Sequence, residues 1–151
     1  MTIGIFIVLL SLTESSREIE ERNVEVSHGQ KATVLNLSSS NGHLEVVKSL
    51  LNANANIEAA DTGYGRTPLS WAASNGHVDV VKSLLNANAN IEGADGYRRT
   101  PLSWAARNGH VDVVKSLLNA NADVEAVDGT YGDLIQRLLL EAGADFNVQG
   151  E

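Results

Sequence analysis

Three histidines, His43, His77 and His110, recur in register, each directly after an Asn-Gly pair, and imidazole nitrogens are common metal ligands. The copies that carry them repeat at 33 to 34 residues. Stacking such copies sets equivalent side chains about 10 Å apart, whereas two nitrogens sharing a zinc lie within about 4 Å. The three histidines therefore cannot share one ion, and each is read as a residue packed at a helix-helix turn. The alternating Asn86-x-Asn88-x-Asn90 run lacks the carboxylates that calcium requires. The sequence has no G-x-S-x-G, no H-E-x-x-H, no G-x-x-x-x-G-K-[ST] and no cysteine. It offers no catalytic residue, no cofactor-binding residue and no metal ligand, so the chain is read as non-enzymatic. What remains is recognition chemistry: Tyr64 and Arg66 in one segment, echoed by Tyr97, Arg98 and Arg99 in another, with Trp71, Trp104 and Arg107 nearby. Tyrosine, tryptophan and arginine are the types that carry most interface energy.

The elements that position these residues follow from an internal repeat. Residues 67–93 return as 100–126 with four differences in 27 positions: Ser74/Arg107, Asn90/Asp123, Ile91/Val124 and Gly93/Ala126. Pro68 and Pro101, Trp71 and Trp104, and Gly76 and Gly109 are each 33 residues apart. A period of that length identifies a solenoid whose units bury their apolar sides only against their neighbours. Thr67 before Pro68 starts a first helix, since the hydroxyl caps free N–H groups and proline in the first turn loses no needed hydrogen bond. Leu69, Ala72 and Ala73 form its packed face, and Asn75-Gly76 ends it near Ser74. A second helix is expected from about Val78 to Asn86, with Val80, Val81, Leu84 and Leu85 as a buried stripe and Asp79 and Lys82 facing water.

The motif D-x-(x)-G-x-T-P-L-x-x-A-A-x-x-G-H-x-x-V-V-x-x-L-L, running from Asp61 to Leu85, resembles the ankyrin repeat. The pattern covers about residues 24–148. The resemblance implies an all-α, helix-turn-helix solenoid with protruding β-turn loops over residues 24–151, with units at about 33–60, 67–94 and 100–127. Residues 128–148 read as a truncated last unit, whose surviving helix is expected over 133–142. The resemblance also places Trp71 and Trp104 near the concave groove as an aromatic strip; the alternative is that each packs on the neighbouring first helix. Where the family has glycine, Asn54, Asn88 and Asn121 end the second helices, and asparagine is the next best residue for a left-handed cap. Ser70 and Ser103 replace the family histidine, which removes a customary side-chain hydrogen bond. Arg98 stands at the usual hairpin glycine, so the loop before Thr100 is expected to differ from the one before Thr67. In the first copy Val34 replaces proline and Leu37-Ser38-Ser39-Ser40 replaces W-A-A-S, giving a more polar helix that could serve as a cap.

The chain has 151 residues, 43% apolar and 20% charged, which suffices for one domain with a sizeable core. Its formal charge of −8 is the wrong sign for generic binding to phosphate backbones or anionic membranes and favours a protein partner with a basic patch. Residues 3–12 are apolar but lack a basic flank and fall short of the ~20 residues that span a bilayer, so 1–23 reads as a leader and charged connector. The sequon Asn36-Leu37-Ser38 matters only if the chain is secreted. The function implied by the resemblance is a protein-protein interaction module of the cytoplasm or nucleus, such as an adaptor or a transcriptional coregulator that binds a transcription factor without contacting DNA. A secreted or membrane-associated protein and a truncated fragment of a larger array are the alternatives.

Overall fold

The computed structural model describes residues 24–27, 30–124 and 137. The expected leader and connector over 1–23, and the last unit over 128–148 except Arg137, lie outside the described residues. An antiparallel hairpin, β1 (Val24–Ser27) and β2 (Gln30–Ala32), pairs Val24 with Ala32 and leads into three helical pairs. These are α1 (Val34–Ser40) with α2 (Leu44–Asn52), α3 (Pro68–Ser74) with α4 (Val78–Asn86), and α5 (Pro101–Arg107) with α6 (Val111–Asn119). The first helices α1, α3 and α5 stack in one layer and the second helices α2, α4 and α6 in another. A continuous core runs between the layers through Leu35, Leu69 and Leu102 on one side and Val47, Leu84 and Leu117 on the other. Burying a leucine of this kind contributes about 1.5–3 kcal/mol. Leu85 is only half-buried, because the stripe on α4 narrows to Val80, Val81 and Leu84.

Each first helix begins at a threonine whose hydroxyl accepts the backbone N–H three residues on: Thr33 from Asn36, Thr67 from Ser70 and Thr100 from Ser103. Each second helix carries an acid in its first turn, Glu45, Asp79 or Asp112, which complements the helix dipole. Beyond the second helices Asn54, Asn88 and Asn121 adopt φ of 60°, 64° and 65°, the left-handed conformation expected of them. In the turns that follow, Ala55, Ala89 and Ala122 donate to the carbonyls of Leu50, Leu84 and Leu117, each at 3.0 Å.

The units are joined by bonds that also repeat. The Asn75 amide and His77 Nε2 both reach back to the Ser40 carbonyl, at 2.7 and 2.9 Å, and Asn108 and His110 do the same to Ser74, at 2.7 and 3.0 Å. A carbonyl only accepts, so Nε2 carries the proton in both rings. The Glu58 carboxylate accepts the N–H of Asn90, and Glu92 that of Asp123, each at 2.7 Å.

Two expectations about the first helices change. The serines of α1 do not form a solvated cap: Ser38 and Ser39 are buried because they occupy the positions of Ala72 and Ala73 against the next unit. Ser38 Oγ donates to the Val34 carbonyl at 2.7 Å, while Ser39 Oγ has no partner among the described residues. Nor is the side-chain bond at the family histidine position lost throughout. Ser70 Oγ donates to the Gly93 carbonyl at 3.2 Å, and in the first copy the Asn36 amide donates to Ala59 at 2.8 Å. Asn36, the sequon residue, is 1% exposed and closed to a glycan in the folded chain.

Candidate functional site

The loops before Thr67 and Thr100 are each organised by an aspartate. Asp61 Oδ1 accepts the N–H groups of Gly63, Tyr64 and Gly65 at 2.9, 2.7 and 3.2 Å, and Asp95 Oδ1 accepts those of Tyr97 and Arg99 at 2.8 and 3.0 Å. The second oxygen of each fixes an indole: Trp71 Nε1–H donates to Asp61 Oδ2 at 2.9 Å and Trp104 Nε1–H to Asp95 Oδ2 at 3.2 Å. The loops touch through the Gly96 N–H, which donates to the Tyr64 carbonyl at 2.8 Å. Both loops close from an aspartate N–H to the arginine carbonyl before the threonine, Asp61 to Arg66 and Asp95 to Arg99 at 3.0 Å, but as expected they differ inside: the second is one residue shorter and adds an Arg98 N–H bond to the Asp95 carbonyl at 2.9 Å. Gly65 has φ of 70° and its counterpart Arg98 has 63°, so arginine takes the left-handed conformation that glycine would supply without strain.

Arg66 is the largest departure from expectation. It is 8% exposed, and its guanidinium carbon lies 3.4 Å from the Trp104 ring centroid and 4.5 Å from that of Trp71. Arg99 sits 4.1 Å from Trp104 and 4.6 Å from Tyr97, while Oδ2 of Asp95 accepts its Nε at 2.9 Å. Trp71, Arg66, Trp104 and Arg99 thus form a column in which cations contact aromatic rings, an arrangement worth about 0.5–2 kcal/mol per contact. Trp104 is 8% exposed and Trp71 half-buried, so they do not form an open strip along a groove. The physical reason is pairing: each indole N–H is held by an aspartate and its face is covered by arginine. Burial, and then the neighbouring charge of Arg99, lower the pKa of Arg66, which remains a cation at neutral pH. Burial by itself would raise the Asp95 carboxyl; the N–H groups of Arg99 and Tyr97 and the Arg99 charge outweigh it and hold the carboxyl below its usual range.

At the surface of this column stand Tyr64 and Tyr97, 44% and 65% exposed, the exposed large hydrophobic residues among those described. Their ring centroids are 6.2 Å apart. Arg98, which follows Tyr97 in the chain, is exposed as well, and Arg107 is exposed at the end of α5, 5.7 Å from the Trp104 ring. Sequence reasoning thus found the residues of this edge but missed Asp61 and Asp95, which hold them. The signal available was an aspartate opening each loop, ten residues before Trp71 and nine before Trp104.

The rest of the described surface offers less chemistry. A shallow groove of about 250 Å³ between α4 and α6 is lined by Lys82, Leu85, Asn86, Ser116, Asn119 and Ala120. Among the described residues no three histidines or carboxylates converge as metal ligands, and no helix is long and apolar enough to cross a membrane. A family model described as ankyrin repeats (3 copies) matches residues 8–95 and 35–128. No curated protein matches the chain.

Proposed function

The chain belongs to the ankyrin-repeat family, whose members are generally protein-protein interaction modules, and we propose that this one binds its partner through the loop edge. The observation that carries the proposal is the exposed Tyr64–Tyr97 pair seated on the packed Trp71–Arg66–Trp104–Arg99 column. Exposed aromatic rings on a rigid base lose little entropy on binding, which favours them as anchors. Arg66 and Trp104 contribute from beneath by holding the loops, not by contact.

The proposed role is non-enzymatic, that of an adaptor or regulator in the cytoplasm or nucleus. A composition without cysteine fits a reducing compartment. Transcriptional coregulation, with the chain engaging a transcription factor and not DNA, is one form of this role, and the net charge of −8 supports the second half of it.

The test is cross-linking mass spectrometry on native extract with the full chain and its Tyr64→Ala/Tyr97→Ala variant. Helical circular dichroism checks that the variant is folded. The expected result is that specific cross-links fall at least tenfold in the variant. Undiminished capture by the folded variant would move the site elsewhere, for example to the groove between α4 and α6.

A further inference from the structure

Charge within residues 33–124 is sorted by face. All four arginines, Arg66, Arg98, Arg99 and Arg107, lie on the loops or at the end of a first helix, together with two aspartates, Asp61 and Asp95. All three lysines, Lys48, Lys82 and Lys115, lie on second helices, which with the turns after them carry six carboxylates. Both loop aspartates are buried and spend their oxygens on loop N–H groups and indoles. The loop edge therefore presents positive charge on an acidic protein, opposite to what the net charge alone suggests.

Within this edge the arginines are not equivalent. Arg66 is enclosed by indoles and Arg99 is paired with Asp95 at 2.9 Å. Arg98 is exposed and has no carboxylate partner among the described residues. It also holds φ of 63° where its counterpart, Gly65, shows that glycine is accommodated. A strained cation without a carboxylate partner among the described residues, next in the chain to one of two exposed and neighbouring tyrosines, is poorly explained by folding, and backbone strain of this kind clusters at ligand sites.

Resting on the reading of the loop edge as the binding surface, we infer that this edge recognises an acidic peptide segment of its partner. Arg98 takes a carboxylate through its guanidinium fork, and an adjacent apolar side chain lies on the Tyr64–Tyr97 rings. The partner's matching segment is rich in Asp or Glu next to an aliphatic or proline residue.

Selection from a displayed library of random dodecapeptides tests this, using the full chain, Arg98→Gly, Arg98→Glu and Tyr64→Ala/Tyr97→Ala. Arg98→Gly removes the charge and relieves the strain, so it folds at least as stably as the parent and separates binding from folding. The expected result is a pool enriched in Asp and Glu that binds Arg98→Gly at least tenfold more weakly, and a basic pool for Arg98→Glu. A pool that is basic or neutral, or one indifferent to position 98, overturns the acidic assignment. If such a pool still depends on Tyr64 and Tyr97, the loop edge stands as a binding surface while the acidic partner falls; indifference to the tyrosines as well removes both. Single-stranded oligothymidylate bound as tightly as the acidic pool would show attraction for any polyanion and overturn the peptide assignment.

Discussion

Asp95 shows how much of this edge hangs on one carboxylate. Oδ1 holds the loop through Tyr97 and Arg99, and Oδ2 holds Trp104 and the Arg99 guanidinium. Its folded pKa lies below the unfolded value of about 4. The stability it contributes is therefore present above that pH and lost as pH falls towards the folded value. Asp95→Asn keeps the shape and removes the charge, and is expected to cost about 2 kcal/mol at pH 7, the scale of a hydrogen bond to a charged group. Urea denaturation should show the gap between parent and variant narrowing from pH 7 to pH 3, because below about pH 4 the unfolded carboxyl takes up a proton that the folded one resists. A gap of equal size at both pH values would show that the charge contributes nothing.

The turns between paired helices depend on glycine in two separable ways. Gly42, Gly76 and Gly109 have φ of 74°, 78° and 74°, which any side chain adopts at a cost. At Gly76 an added Cβ would also lie 2.6 Å from His110 Nδ1, whereas at Gly109 nothing among the described residues lies within 4 Å. Gly109→Ala should cost about 1 kcal/mol for the backbone alone, and Gly76→Ala that amount plus about 1–3 kcal/mol for overpacking. Equal losses of melting temperature in the two variants would refute the inter-unit contact. Helices α3 and α4 were legible to the residue, because Thr67, Pro68, Gly76 and Asn88 act through local backbone physics. The interior of the loop edge was not. Arginine and tryptophan read as surface anchors by type, and only the approach of successive loops showed that Arg66 is enclosed between Trp71 and Trp104. The serines of α1 misled in the same way: their position in the repeat, not their polarity, sets which face they occupy.

Across the whole stack, each unit is stabilised by its neighbours through layer packing and the Asn, His and Glu bonds that cross between units. In a linear array of this kind stability is a sum of unit and nearest-neighbour terms, so position along the array decides how far damage spreads. Leu84 in α4 and Leu50 in α2 are buried at equivalent places, one in the middle pair and one in the first. Truncating either to alanine costs about 2–5 kcal/mol locally. Leu84→Ala weakens the pair that, of the three described, touches both others, because α1 packs on α3 and α3 on α5, as α2 does on α4 and α4 on α6. Amide hydrogen exchange should then lose protection in all six described helices together. Leu50→Ala should raise exchange mainly in α1 and α2, leaving α5 and α6 near the parent values, because the second and third pairs still stack on each other. Losses confined to α3 and α4 in the first variant would mean that the end pairs hold themselves up, and the neighbour coupling that places the two loops in register would have to come from the loops themselves.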